Sequence, residues 1–353
     1  MKKLVFVGCG GIAEYHLGNM LGYKADFLDK HGIELAGFCD IIPERAQAFV
    51  DKVGSGKAYT DYRTMYDEIQ PNIAFICIPP YCHGELDLET FRRGIHAYVE
   101  KPVALDLDLA GEILDVIRRN NVITAVGFQC RYGRVSDLAR QFCAEHRVAF
   151  VDMTRMGGIP GTFWWKKKEL SGGQIVEQTI HNFDIVRYAL GDPIEVCTFG
   201  TRGFVGNVPD YDTEDLTTTI VRFENGALGT FSTGCYAEGP GCCENKIVFS
   251  AKDCRLDYHL LDKVVLYDSS AKEEEGASVV KGDGRMRGSN EGVVTKGEGD
   301  TGPIAEQTFL KAVLTGDPSQ IRSPYSDGIK SLAFTLACNE SMAKGGVVRV
   351  RTF

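Results

Sequence analysis

The sequence lacks both an excess of positive charge and any long apolar run. Its formal net charge is −9 at pH 7, which argues against nucleic acid or an anionic membrane as a partner. No stretch of about 18 uninterrupted apolar residues is present, so no membrane span is expected. The apolar run after Met1 is too short for a secretory signal, and we assign it to a strand.

Cys-x-x-Cys spacing is also absent, although the chain has 12 cysteines. A zinc ribbon or a thioredoxin-like motif therefore has no support. Several cysteines, such as Cys9, Cys39 and Cys77, lie within apolar runs. Reduced thiols in a cytoplasmic protein are the simplest explanation of this pattern. The adjacent Cys242 and Cys243 suggest no function.

The length of 353 residues exceeds the size at which single hydrophobic cores stop growing, so we expect two domains. Strand and helix patterns alternate through residues 1–126, which predicts an α/β domain built on a doubly wound parallel sheet. A second domain is expected over residues 127–353, and its C-terminal helices either stay with it or pack back on the first domain.

A glycine turn follows the first predicted strand and opens the first helix. This geometry lets the backbone approach a pyrophosphate and aims a helix N-terminus at its charge. The predicted cofactor contacts in this turn are Gly8, Gly10, Gly11, Ile12 and Ala13.

Asp40 ends the second predicted strand about 27 residues after the turn, where a carboxylate accepts a ribose 2′-hydroxyl. The carboxylate also repels a 2′-phosphate, and Ile41 and Ile42 supply no compensating cation, so NAD is favoured over NADP. Arg45 lies either over the adenine ribose or on a solvated helix face.

Two further strand ends carry polar groups. The apolar run from Asn72 ends at Ile78 and Pro79, and His83 then either caps the next helix or faces the cofactor, with capping favoured by the local sequence. Glu100 and Lys101 end another strand. A lysine there can be desolvated, which lowers its pKa towards a range useful for proton transfer; a surface lysine is the alternative.

At this point the sequence resembles the Gfo/Idh/MocA oxidoreductases, a family that includes glucose–fructose oxidoreductase and inositol 2-dehydrogenase. The matching segments are 8–13, 39–40, 78–83, 100–102, 127–132 and a segment of the second domain. The resemblance implies an N-terminal Rossmann domain and a C-terminal α+β domain with a large, mostly antiparallel or mixed open sheet. It also implies a homodimer or homotetramer formed through that sheet, and cofactor contacts from Ile78, Pro79, His83, Glu100, Lys101 and Gln129.

In the second domain, Glu177, His181 and Asp184 are predicted to lie in one helix that runs to Leu190. Positions i and i+4 share a helical face, so a carboxylate and an imidazole project together, as acid–base chemistry requires. The spacing also suits a metal, but no third ligand is evident, and a buried structural histidine is a further alternative. The family usually has aspartate at position 177, so the longer side chain alters the substrate geometry.

Other predicted elements surround this helix. Trp164 and Trp165 lie in a glycine-flanked loop beside three lysines, where they either stack on a sugar or plug the core. Strands in a meander are expected from 195 to 267, including a hairpin closed by an Asn-Gly turn. The segment 269–300 is rich in glycine and charge, which predicts an exposed loop or an arm ordered by a partner.

Together these residues predict an enzyme that transfers a hydride between NAD and a secondary hydroxyl or carbonyl of a sugar, polyol or inositol-like substrate. His181 is the candidate acid–base, Lys101 polarises the substrate oxygen, and Glu177 orients either the substrate or His181. The candidate substrate contacts are Lys101, Arg131, Trp165, Glu177, His181, Asp184 and Tyr236, and no metal is expected. An NAD-dependent glycosidase that oxidises its substrate transiently is an alternative. A non-catalytic NAD-binding regulator is another, although retention of both Lys101 and His181 argues against it.

Overall fold

A computed structural model describes residues 1–206, 208–239, 241–268, 278–281 and 291–353, with backbone alone at 278–281 and 291. The chain divides into two compact units. The first comprises residues 1–129, 302–329 and Phe353, and the second comprises residues 130–301 and 330–352. The sequence-based boundary at residue 126 left residues 302–329 in the second domain, whereas the structure groups them with the first unit.

The first unit contains six strands and their intervening helices. In chain order these are β1 (Lys2–Val7), α1 (Gly11–Gly22), β2 (Ile33–Cys39), α2 (Pro43–Val53), β3 (Lys57–Tyr59), α3 (Tyr62–Ile69), β4 (Ile73–Ile76), α4 (Glu85–Arg92), β5 (His96–Val99), α5 (Leu107–Asn120) and β6 (Thr124–Val126). Later in the chain, this unit also contains α10 (Gly302–Thr315) and the start of α11 (Tyr325–Lys344).

These strands form one parallel sheet in the order β3-β2-β1-β4-β5-β6. The central strands β1 and β4 are nearly continuous runs of buried apolar residues, as expected of a parallel sheet covered on both faces. The predicted doubly wound parallel sheet is therefore confirmed. The strand order reverses between β1 and β4, and the carboxyl ends of strands at such a switch point are where open α/β sheets bind ligands.

Local sequence signals fix several helix starts in this unit. Asp61 caps α3, since its carboxylate accepts the Thr64 N–H at 2.8 Å. Asp106 caps α5 by accepting the Leu109 N–H at 2.8 Å. Pro43 begins α2, where its fixed φ suits the first turn.

The second unit combines one sheet of ten described strands with helices. Its elements are α6 (Arg134–Glu145), β7 (Phe150–Met156), α7 (Lys168–Ser171), α8 (Gln174–Glu177), α9 (Ile180–Leu190), β8 (Pro193–Thr201), β9 (Leu216–Phe223), β10 (Leu228–Gly234), β11 (Glu244–Ser250), β12 (Cys254–His259), β13 (Lys263–Asp268), β14 (Ser278–Lys281), β15 (Glu291–Lys296) and β16 (Val348–Arg349), together with the rest of α11.

The order of these strands is β14-β15-β13-β12-β11-β7-β10-β9-β8-β16. All pairs are antiparallel except β7 with β10, so the predicted large, mostly antiparallel sheet is confirmed. The simple meander is wrong, because β7 lies between β10 and β11. The β9–β10 hairpin is confirmed, with Gly226 at φ 86° in its turn. The predicted loop 269–300 contains β14 and β15, while residues 269–277 and 282–290 lie outside the described residues.

Helices cover one face of this sheet. Phe183 of α9 contacts Phe231 of β10 and Phe334 of α11, with ring centroids 5.0 and 4.9 Å apart. The opposite face exposes large apolar side chains, including Phe199 and Ile220. Association of copies through this sheet stays a prediction. No helix in the described part of the chain is both long and apolar enough to cross a bilayer.

Candidate active site

The glycine turn after β1 contains one position that only glycine can occupy, Gly8, and two positions with free space around them, Gly10 and Gly11. Gly8 has φ +87°, and a Cβ there would lie 2.2 Å from the Cys77 carbonyl oxygen, so only glycine fits. Gly10 is the N-cap of α1 and no side chain caps that helix. A Cβ on Gly10 or Gly11 would meet nothing within 4 Å. The turn therefore leaves the first amides of α1 accessible, which fits a phosphate group.

The next two residues of this turn differ in their exposure to solvent. Ile12 is 39% exposed, whereas Ala13 is fully buried. A small residue at position 13 is what lets α1 pack closely on the sheet.

Asp40 directly follows β2, and its carboxylate is tied to the glycine turn. Its Oδ2 accepts the Cys9 N–H at 2.8 Å and its Oδ1 accepts the Ile42 N–H at 2.9 Å. The residue is buried, while Ile41 is exposed and Arg45 lies exposed in the first turn of α2. Each carboxylate oxygen has a second lone pair, so Asp40 can still accept from a hydroxyl group.

His83 does not cap α4, which was the role that the local sequence favoured over a contact with the cofactor. Gly84 is the N-cap, and its N–H donates to the Asp87 carboxylate at 2.8 Å. His83 is buried, with Nδ1 3.0 Å from Asp87 Oδ1. Its Nε2 has no hydrogen-bond partner among the described residues. Ile78 and Pro79 are half-buried after β4.

Lys101 follows β5 in the same sheet, and its peptide bond to Pro102 is cis. The side chain is half-buried. Its backbone N–H donates to Glu100 Oε2 at 3.3 Å. Gln129, predicted to contact the cofactor, is half-buried at the start of a short 3-10 turn that ends at Tyr132.

Glu100 belongs to a buried charge network rather than to an open surface. Its Oε1 lies 2.9 Å from His16 Nε2, and His16 Nδ1 lies 2.7 Å from Glu306 Oε1. Asn19 and Tyr23 donate to the two oxygens of Glu306, each at 2.8 Å. Burial alone lowers the pKa of His16, but hydrogen bonds to Glu100 and Glu306, and their charges, raise it to about 9. His16 is therefore an imidazolium at neutral pH.

Sequence reasoning missed His16 and Glu306. The two residues are 290 positions apart, and α10 reads as an ordinary amphipathic helix. The only usable signal was a histidine on the apolar face of α1, beside Leu17 and Met20, which are fully buried. Such a histidine needs a polar partner inside the fold.

The continuous helix predicted through Glu177, His181 and Asp184 is wrong. Glu177 ends α8, and α9 begins at Ile180 after Thr179, whose φ and ψ are −97° and 1°. Helical i, i+4 spacing therefore does not relate Glu177 to His181. Both side chains are half-buried in the second unit.

Asp184 and Arg131, both predicted to contact substrate, form a buried ion pair in the structure. Arg131 Nε donates to Asp184 Oδ2 at 2.8 Å, and Arg131 Nη2 donates to Oδ1 at 2.5 Å. Ser331 also donates to Oδ1 at 2.5 Å. Asp184 is fully buried and Arg131 is 1% exposed. The pair is a bidentate structural bridge between α9 and the turn after residue 129.

The side chain of Trp165 is completely buried, which favours the core plug over stacking on a sugar. Phe163 is the exposed aromatic residue of that loop, at 71%. Tyr236 is 39% exposed, and its ring centroid lies 5.8 Å from that of Phe204. The two rings line an open groove of about 520 Å³ with Glu238.

Two family models match the chain. Residues 2–128 match the oxidoreductase family with an NAD-binding Rossmann fold, and residues 143–252 match the Gfo/Idh/MocA C-terminal domain. The chain belongs to the Gfo/Idh/MocA family of oxidoreductases. The resemblance stated from the sequence is thereby confirmed, and the glycine turn with Asp40 lies in an NAD-binding Rossmann domain.

Characterised relatives are distant. D-glucoside 3-dehydrogenase of Escherichia coli K12 is 25% identical over 244 residues, which cover 64% of this chain and 68% of that protein. The scyllo-inositol 2-dehydrogenase (NAD(+)) of Bacillus subtilis 168 is 26% identical over 234 residues, which cover 64% and 65%. The chain thus spans about two thirds of the length of these relatives.

Among solved structures, a levoglucosan dehydrogenase in complex with NADH has a TM-score of 0.83 to this chain. The alignment covers 100% of both chains at 20% identity. At that identity the likeness shows that the two proteins share a fold.

Proposed function

We propose that this family member is an NAD-dependent dehydrogenase that transfers a hydride between the nicotinamide and a secondary hydroxyl or carbonyl of a sugar, polyol or inositol-like substrate. One observation carries the proposal: the open glycine turn, Asp40 and Lys101 all follow carboxyl ends of strands in one parallel sheet. The cofactor cradle and a candidate proton-handling ammonium thus share one sheet edge. The dehydrogenases among the relatives support the substrate class.

Each residue has a role that follows from its chemistry. Asp40 accepts a hydroxyl of the adenine ribose and repels a 2′-phosphate, so NAD is preferred to NADP. Bound NAD supplies the hydride acceptor. His181 takes the hydroxyl proton as the carbon is oxidised. Lys101, protonated, donates a hydrogen bond to the substrate oxygen and stabilises its developing negative charge. Glu177 orients the substrate.

The roles proposed for Lys101 and His181 are tested by Lys101→Met and His181→Asn. Each variant is expected to lose roughly 10²–10⁴-fold in turnover. NADH affinity, measured by fluorescence titration, is expected to stay within about 2-fold in His181→Asn. The substrate is found first, by following NADH absorbance across polyols, inositols, aldoses and sugar acids.

A matched control is His146→Asn, which removes a half-buried histidine of the same unit at the end of α6. It should leave turnover unchanged. Binding of NADH with no oxidation across the panel would refute the dehydrogenase and favour a regulator. Cleavage of a glycoside without net NADH would favour the glycosidase.

A further inference from the structure

Arg155 is a half-buried cation in β7, and one nitrogen of its guanidinium has no partner in the described part of the chain. Its Nη1 is buried without a hydrogen-bond partner in the described residues. No ion pair to it is found there either. Burial lowers the pKa of Arg155, and the Cys243 and Cys235 thiols and the Glu177 carboxylate oppose this effect. An arginine so placed carries a desolvation cost that a paired anion would offset.

The residues beside Arg155 in the neighbouring strands contact the segments that carry the candidate catalytic residues Glu177 and His181. Thr233 of β10 and Asn245 of β11 are its register partners on either side. Directly opposed residues in a sheet project from the same face. Thr233 Oγ1 donates to Gln174 Oε1 at 3.3 Å, and Gln174 begins α8, which ends at Glu177.

On the other side, Asn182 Nδ2 donates to Asn245 Oδ1 at 2.7 Å. Asn182 is the residue after His181. Gln178, which follows Glu177, donates to the Gly158 carbonyl at 3.1 Å, just beyond β7. Both segments that carry the candidate catalytic groups are therefore anchored beside Arg155.

The backbone also leaves a place for the guanidinium. A Cβ on Gly157 would lie 2.3 Å from Arg155 Nη1 and 2.8 Å from its Cζ. Any larger residue at position 157 would displace the guanidinium, because its planar group lies over the glycine. Gly157 thus leaves the room against the backbone that the guanidinium occupies.

We propose that Arg155 binds an oxyanion of the substrate, a carboxylate or a phosphate monoester, so that this enzyme acts on an acidic sugar or polyol. This inference rests on the proposed function and narrows its substrate class. The guanidinium presents a planar fork of donors that matches both groups in a bidentate arrangement. The positive charge of Arg155 also favours acidic over neutral substrates, because a neutral substrate brings no anion to pair with the guanidinium.

The test compares Arg155→Gln and Arg155→Lys with Arg222→Gln as the matched control. Arg222 lies on the same sheet but projects from the opposite face, where it pairs with Glu195 at 2.8 Å. Kinetics are measured with glucose, glucuronate and glucose 6-phosphate, or the equivalent set built on whichever scaffold the panel identifies. In Arg155→Gln, kcat/KM for the acidic substrate should fall about 10- to 100-fold, with little change for the neutral one. Arg155→Lys should recover part of the loss, and Arg222→Gln should match the wild type.

Binding is measured separately by titration calorimetry of the acids into protein saturated with NADH. Weaker binding in Arg155→Gln supports the inference even when no substrate is oxidised, in which case the proposed function alone fails. Should Arg155→Gln not fold, Gly157→Ala tests the same point by displacing the guanidinium. Comparison of glucuronate with glucose 6-phosphate shows whether the bound oxyanion is a carboxylate or a phosphate. Equal handling of acidic and neutral compounds by the wild type, or unchanged discrimination in the folded variants, overturns the inference.

Discussion

The network around His16 makes the stability of the first unit depend on pH. The pKa of His16 is 6.5 in an unfolded chain and about 9 in the fold. At about 1.4 kcal/mol per pKa unit, this rise corresponds to about 3 kcal/mol of stabilisation. A raised pKa stabilises the fold fully below pH 6.5, where His16 is protonated in both states. The contribution is lost as the pH rises from 6.5 to about 9.

Hydrogen exchange of α1 and α10 peptides, corrected for intrinsic rates between pH 6 and 9.5, measures this effect within the first unit. His16→Gln should remove the decline in opening free energy with pH. It should also lower stability by roughly 3–5 kcal/mol at pH 6.5, because Glu100 and Glu306 lose their buried cation. Glu306→Gln should shift the decline to lower pH, since His16 keeps only one carboxylate.

His31→Gln is the matched control, because it removes a histidine of the same unit that lies outside the network and contacts the Phe27 carbonyl. It should keep the wild-type decline. A wild-type profile with the same pH slope as His16→Gln would refute the assignment of a charged His16.

Three other predictions follow from single contacts. Asp40→Asn should weaken NADH binding about 10-fold and raise the ratio of NADPH to NADH affinity in fluorescence titrations, because the charge that excludes a 2′-phosphate is gone; an unchanged ratio would contradict this. Gly8→Ala should fail to fold by circular dichroism, whereas Gly10→Ala should fold but bind NADH more weakly, since its methyl group enters the open cradle. Asp184→Asn should lower the free energy of unfolding in urea by about 3–5 kcal/mol, because the buried guanidinium of Arg131 loses the carboxylate charge that compensates it, and a loss of turnover without loss of stability would contradict the structural role.

Features carried by adjacent residues were predictable from the sequence. The glycine turn, Asp40 and the parallel sheet each depend on local backbone requirements and on runs of buried apolar residues. Gly8 shows why: its positive φ and its contact with a neighbouring strand leave no alternative residue. The hairpin after β9 was predictable for the same reason, since Gly226 supplies the positive φ of its turn.

Features that depend on chain breaks or distant partners were not predictable. The prediction that Glu177 and His181 share a helical face assumed an unbroken helix. In the structure α8 contains only four residues, and Thr179 separates it from α9. The position of β7 between β10 and β11 follows from long-range pairing that leaves no local pattern. Glu306 becomes a partner of His16 only after folding. Arg155 did leave a signal, because it follows the buried Val151 and Met153 in alternation.

His16 and Arg155 differ in how their positive charge is compensated, and the difference separates a structural role from a functional one. His16 lies between Glu100 and Glu306, so the fold itself neutralises it and its loss should appear as lost stability. Arg155 has Glu177 nearby but no ion pair within the described part of the chain. A cation that the fold positions over a glycine yet leaves unpaired gains its compensation from a ligand. Removal of Arg155 should therefore change substrate discrimination more than it changes stability. Removal of His16 should have the opposite effect and mainly lower stability.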